Sequence, residues 1–151
     1  MRISGVLTCS LVNGEGVRYV VFTQGCAHYC KGCQNPDTWD FNGGYEVDPE
    51  FLVADISKRR KYLDGITLSG GDPFYQQEEC VKLLKMLPDM NVWIYTGFDY
   101  ADICDTELAR LADVIVDGPF VEELKCEGRY FGSSNQKINK SKELIPNGGL
   151  E

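Results

Sequence analysis

Basic residues and histidine are scarce in this chain. It has 15 lysines and arginines against 23 aspartates and glutamates, and a single histidine, His28. A net charge of −8 repels phosphates, which argues against nucleic acid or an anionic membrane surface as a partner. The one basic run, Lys58-Arg59-Arg60-Lys61, reads as the solvated end of a helix, where cations suit the negative end of the dipole. No apolar run approaches the ~18 residues of a membrane span. The opening "MRISGVLTCSLVNGEG" has one charge and a short apolar stretch broken by glycine and polar residues, which is not a secretory pattern. A Walker-type phosphate loop is missing, as are internal repeats and long low-complexity segments. The expectation is a cytoplasmic protein of one domain, residues 1–151. Its 43% hydrophobic residues suffice for one core.

Cysteine, by contrast, is abundant, with seven residues. Without export these thiols stay reduced, so a cluster of them reads as metal-binding or redox-active and not as a disulfide framework. The cluster lies in "GCAHYCKGCQN", where Cys26, Cys30 and Cys33 are spaced C-x3-C-x2-C. Three readings compete. Structural zinc would recruit His28 as fourth ligand, but all donors would then come from one short loop, whereas zinc sites usually pair two segments. An electron-transfer cluster would take its fourth cysteine from Cys9, Cys80, Cys104 or Cys126. A third reading has three thiolates holding an iron–sulfur cluster and one iron left open, as a catalytic metal requires.

The rest of the chain alternates strand and helix. "VRYVVFTQ" (Val17–Gln24) is β-branched and aromatic. "VDPEFLVADISKRR" offers Asp48 as N-cap, Pro49 as first helical residue, and Phe51, Leu52 and Ile56 on one face. "GITLSGGDP" is a strand ending in two glycines. "QQEECVKLLKML" spaces Cys80, Leu83, Leu84 and Leu87 as a helix does, and Pro88 stops it. "NVWIYTGF" is a third strand, "ADICDTELARLA" a helix with Ile103, Leu108 and Leu111 inward, "DVIVDGPF" a fourth strand, and "VEELK" a short helix. The N-terminal segment and the tail after Gly128 can each add an edge strand, and the terminal "PNGGLE" reads as frayed.

Such alternation implies right-handed βαβ units and a parallel sheet. The strands are apolar with little alternation, as when both faces are covered. Four units are too few for a closed eight-stranded barrel, so the expected class is α/β with an open, partial βα barrel. The cysteine loop, Ser69-Gly70-Gly71-Asp72-Pro73, Thr96-Gly97 and Asp117-Gly118-Pro119 all follow carboxyl ends of strands, and so share the rim where sites form in such folds.

The cysteine spacing just after a first strand resembles the radical S-adenosylmethionine (SAM) superfamily. That resemblance implies a shortened radical SAM fold and a 4Fe-4S cluster on Cys26, Cys30 and Cys33, with SAM chelating the open iron through its amino and carboxylate groups. It also implies that Gly70-Gly71-Asp72 contacts the methionine amino group. Alone, this stretch reads as a tight strand-to-helix turn. Asp72 stands where the superfamily more often has Glu. Gly32 stands where it often has an aromatic beside adenine, a contact that Tyr29 can supply. Thr96 and Asp117 are further candidates for SAM contact, each equally readable as a cap.

"FTQGCAHYCKGCQNPDTWDFNGG", "TLSGGDPF", "YTGF", "VDGPF" and "GSSNQKI", spread from about Gly5 to Ile138, resemble the activating proteins of anaerobic (class III) ribonucleoside-triphosphate reductases. This implies a partner, the reductase large subunit, and a one-electron donor such as flavodoxin. It implies reductive cleavage of SAM to methionine and a 5′-deoxyadenosyl radical, which removes a hydrogen from a glycine near the reductase C-terminus. Asp37, Trp39, Phe41 and the loop Arg129–Gln136 are candidates for docking that protein. Trp39 and Ser133–Gln136 read equally well as packing and as a polar turn, and His28 as a loop residue beside the cluster. The rivals are an activase of another glycyl-radical enzyme, of the pyruvate formate-lyase type, and a non-catalytic zinc or iron–sulfur module.

Overall fold

The computed structural model describes residues 1–33, 35–127 and 130–140. Among them the strands are β1 (Arg2–Ser10), β2 (Arg18–Thr23), β3 (Tyr45–Glu46), β4 (Gly65–Gly70), β5 (Asn91–Tyr95), β6 (Val114–Asp117) and β7 (Lys137–Asn139). The α-helices are α1 (Pro49–Lys58), α2 (Gln77–Lys85), α3 (Tyr100–Ile103) and α4 (Glu107–Leu111). The strands make one mixed sheet in the order β3-β1-β2-β4-β5-β6-β7. The four runs expected as parallel strands are its centre: β2, β4, β5 and β6 pair in parallel, with Val20 opposite Thr67 and Thr67 opposite Trp93. β1 and β7 flank them antiparallel. Both ambiguous segments therefore join the sheet, although β1 lies one strand in from the edge, behind the two-residue β3.

The two faces of the sheet differ. Tyr19, Val21, Ile66, Leu68, Val92, Ile94 and Ile115 pack against Leu52 and Ile56 of α1, Cys80, Leu83 and Leu84 of α2, and Leu108 of α4. Side chains of the opposite parity, Trp93, Val114 and Val116, gather with Tyr95, Tyr130, Phe131 and Ile138, a cluster with no helical member. The loop before β2 and the segment before β7 cover this second face. Thr67 Oγ1 donates to the Asn13 carbonyl at 2.6 Å, and Tyr130 packs edge-on against Trp93. The apolar strands thus reflect helices on one side and aromatics and loops on the other.

At the amino end of the strands this second face is closed by Arg18, 1% exposed. Its guanidinium donates to Thr67 Oγ1 and to the carbonyls of Glu15, Ile66 and Asn91, and lies 5.6 Å from the Trp93 ring centre. Burial lowers its pKa to about 10. Sequence pattern gave no sign of a buried cation at the start of β2.

Local departures from expectation have local causes. In α1, Pro49 opens the helix after Asp48, whose side chain makes no capping bond. Leu52 and Ile56 are buried but Phe51 is 68% exposed, so the inward face is narrower than its apolar residues suggest. The helix expected over "ADICDTELARLA" is two short ones, because Thr106 caps α4 by accepting from Ala109 N at 3.2 Å while its hydroxyl closes α3 on the Ile103 carbonyl. "VEELK" is one 3-10 turn, Glu122–Leu124. "PNGGLE" lies outside the described residues.

Candidate metal and cofactor site

The cysteine loop leaves β2 and doubles back along the segment that follows it. Gly25 N donates to the Thr38 carbonyl and Cys26 N to the Trp39 carbonyl. From the other side the turn after β4 closes in: Gly71 N donates to Thr23 O and Asp72 N to Gly25 O. No side chain fits between them. A Cβ on Gly71 would meet the Gly25 carbonyl at 2.4 Å, and Gly70 has φ +102°, a left-handed conformation suited to glycine. The double glycine is thus explained first by the close approach of two loops, which also leaves backbone facing the cavity.

That cavity, about 120 Å³, is lined by Cys26, Cys30 and Cys33, by His28 and Trp39, by Gly70 and Gly71, and by Thr96 and Gly97. The cysteine loop, the Gly-Gly turn and the end of β5 therefore converge on one rim, together with Gly118 after β6. Asn35 N donates to Cys33 Sγ at 3.4 Å, and the backbone of His28 and of Phe120 opposes the effect of burial on Cys26 and Cys30. Burial pushes the Cys26 thiol up to about 11 and raises Cys30 as well. A bound cation would oppose that effect by stabilising thiolates. Cys9, Cys80, Cys104 and Cys126 do not line the cavity. Among the described residues no three His, Cys, Asp or Glu side chains converge as ligands of a single ion. Three thiols spread around a glycine-walled cavity beside backbone N–H groups fit an iron–sulfur cluster, whose sulfurs accept such bonds.

Asp72 has 0% exposure and is not part of the cavity wall. Its carboxylate is an internal hub. Oδ1 accepts from Phe74 N at 3.1 Å and Oδ2 from Gly97 N at 2.8 Å, while Thr96 Oγ1 is 2.9 Å from both. His28 Nε2 is 2.7 Å from Oδ2. One buried charge thus ties the cysteine loop, the turn after β4 and the end of β5. The His28 ring packs edge-on against Phe98 at 4.6 Å and lies 5.8 Å from Tyr75.

The other candidate residues spread out. Tyr29, 63% exposed, stands edge-on to Trp39 at 5.4 Å, outside the cavity wall. Gly32 turns at φ +77° against Glu122 on the surface. Asp117 accepts from Tyr100 N at 2.6 Å and Asn139 Nδ2 at 3.0 Å, so it caps α3 and pins β7 away from the cavity. Asp37 is exposed, and Phe41 lies under Gly25, edge-on to Tyr75. Ser133, Asn135 and Gln136 stitch the segment after β6: Val121 N donates to Ser133 Oγ, Asn135 to the Pro119 carbonyl, and Gln136 to the Gly118 carbonyl. Arg129 lies outside the described residues. Tyr95 and Phe120, not singled out in the sequence, also line the cavity. The signal for Tyr95 was available: it shares a strand face with Trp93 and directly precedes Thr96.

Comparison with known proteins settles the family. The sequence family described as 4Fe-4S single cluster domain matches residues 12–139. The chain is 35% identical over 147 residues to the anaerobic ribonucleoside-triphosphate reductase-activating protein of Enterobacteria phage T4, covering 91% of this chain and 93% of that one. The protein of the same name from Vibrio cholerae is 37% identical over 142 residues, covering 86% and 92%. The chain belongs to the family of anaerobic ribonucleoside-triphosphate reductase-activating proteins. The Escherichia coli K12 member of this family is 35% identical over 141 residues, covering 85% of this chain and 92% of its own. Among solved structures, QueE from Escherichia coli aligns with 64% of this chain and 51% of its own, at 18% identity and a TM-score of 0.44, too loose a likeness to bear on function. No helix among the described residues is long and apolar enough to cross a membrane.

Proposed function

We propose that this protein activates an anaerobic ribonucleotide reductase, as a single-domain cytoplasmic enzyme with an open, partial βα barrel of the shortened radical SAM type. The observation that carries the reading is the convergence of Cys26, Cys30, Cys33, Gly70 and Gly71 on one cavity, in a member of this family. Cys26, Cys30 and Cys33 would hold a 4Fe-4S cluster, with SAM bound beside it. When bound and reduced by a one-electron donor such as flavodoxin, cluster and SAM would supply the 5′-deoxyadenosyl radical chemistry needed to take a hydrogen from a glycine of the reductase large subunit.

The chain's own residues bind and orient. Gly70 and Gly71 offer backbone to the methionine end of SAM, with Thr96 beside them. Asp72 acts from beneath, as a positioning residue that fixes His28, Thr96 and Gly97. Trp39, braced by Tyr29, is an aromatic wall suited to adenine. Gly32 gives the loop its turn, and Asp117 supports the far side by capping α3. The second sheet face forms a chamber of about 470 Å³ that shares Cys33, Ser69, Tyr95, Phe120 and Gln136 with the cysteine cavity. Among the described residues, none that lines it is Asp, Glu, Lys, Arg or His. The amides, hydroxyls and aromatics of that described lining suit a peptide segment.

The test combines three measurements under anaerobic conditions. Iron and sulfide should be found in the purified protein, strong reductant with SAM should give 5′-deoxyadenosine, and adding the reductase large subunit should give a glycyl radical by electron paramagnetic resonance. A colourless, zinc-only protein that never yields 5′-deoxyadenosine refutes the reading. A radical formed on pyruvate formate-lyase but not on the reductase moves the assignment to that partner.

A further inference from the structure

Three buried side-chain atoms find no hydrogen-bond partner among the described residues: Gln24 Oε1, Tyr95 Oη and Asn135 Oδ1. Of these side chains Tyr95 lines both the cysteine cavity and the chamber beside it. A buried hydroxyl with no partner costs stability, so native proteins rarely keep one without a use. Its neighbours do not supply one. Thr96, the next residue, turns its hydroxyl to Asp72. Arg18, below it on the same face, spends its donors on Thr67 and main-chain carbonyls. Burial raises the Tyr95 phenol well above its ordinary value, so it remains a neutral donor across the working pH range.

We propose that Tyr95 is a positioning residue for the target, its phenol O–H donating to a peptide carbonyl of the glycine-bearing segment where the chamber meets the cysteine cavity. The inference rests on the activase reading above. The hydroxyl lacks a partner among the described residues and its side chain lines both spaces, so a carbonyl entering where they meet would supply the missing acceptor. The phenol keeps its proton throughout. The bond broken is the glycine Cα–H and the bond formed is the C5′–H of 5′-deoxyadenosine, the electron having come from the external one-electron donor.

The experiment uses Tyr95→Phe, which keeps the ring and removes only the unpartnered oxygen. The full-length activase is loaded with cluster and mixed with SAM, reductant and reductase large subunit made with α-deuterated glycine. Two quantities are read: glycyl radical per 5′-deoxyadenosine, and the deuterium content of the 5′-deoxyadenosine. Tyr95→Phe should lower the first about tenfold, the effect of one hydrogen bond, raise KM for the reductase, and dilute the deuterium label, because a misplaced radical is quenched elsewhere. Its melting temperature should not fall, since no intramolecular bond is lost. Wild-type coupling and labelling in Tyr95→Phe overturn the proposal. So does a loss of fold or of iron in that variant, which would make the oxygen a structural support. If the wild-type protein itself gives unlabelled 5′-deoxyadenosine and no glycyl radical, the activase reading fails instead.

Discussion

Asparagine at position 72 separates two roles for the acidic residue of the Gly-Gly turn. As a direct contact to SAM, Asp72 could lose its charge with little effect on the fold. As a hub, it cannot. Its oxygens take N–H or O–H groups from Phe74, Thr96 and Gly97 and face His28 Nε2, at 2.7 to 3.1 Å and with 0% exposure. An amide matches one oxygen and presents an NH₂ where the other stood. If that NH₂ replaces Oδ2, it points donors at Gly97 N and the His28 ring. Hydrogen bonds to a charged group contribute about 1.5–3 kcal/mol each, and breaking a buried charged network costs about 3–5 kcal/mol. Asp72→Asn should therefore destabilise the metal-free protein by about 3–5 kcal/mol, a fall in melting temperature of roughly 6–20 °C for a chain of this size. Anaerobic urea or thermal unfolding followed by circular dichroism measures it. A loss under about 1 kcal/mol, with SAM binding impaired, would refute the hub and restore the direct contact.

Other outcomes follow from the same geometry. Cys30→Ala should abolish 5′-deoxyadenosine formation and lower bound iron while the far-ultraviolet dichroism stays unchanged, because this thiol is only partly buried at the rim. Cys80 is fully buried on the inward face of α2, and burial pushes its thiol up to about 12. It should resist alkylation at pH 8 until the protein unfolds. Because its folded pKa exceeds the unfolded value of 9.0, the unfolded state loses its proton first, so this thiol's contribution to stability should decline as pH rises above about 9, which a urea titration series at pH 8 and pH 10 can read. Arg18→Ala leaves the Ile66 and Asn91 carbonyls without their donor and should cost about 2–4 kcal/mol in unfolding experiments.

The parallel core was legible in the sequence because its strands are apolar runs ended by glycine or proline, a signal carried by neighbours in the chain. The three thiols and the double glycine were legible for the same reason. What was hidden depends on distance along the chain. The partners of Asp72 lie up to 44 residues away, and those of Arg18 up to 73. Periodicity cannot tell a strand face covered by helices from one lined by aromatics, so Trp93 and Tyr95 read as ordinary core. The break between α3 and α4 was written in Thr106, but an apolar period running through it masked the cap. Phe51 shows the reverse error, an apolar residue at a core spacing that points to solvent.

The hub bears on how the protein survives damage. Cys26, Cys30 and Cys33 stand around one cavity whose walls are joined by main-chain bonds and by the bonds of Asp72. Those bonds offset part of the entropy of ordering the loops when the chain folds, so a scaffold that has lost its iron should need mainly iron and sulfide to be rebuilt. Recovery after exposure to air should then keep pace with iron–sulfur delivery, without waiting for new protein to be made.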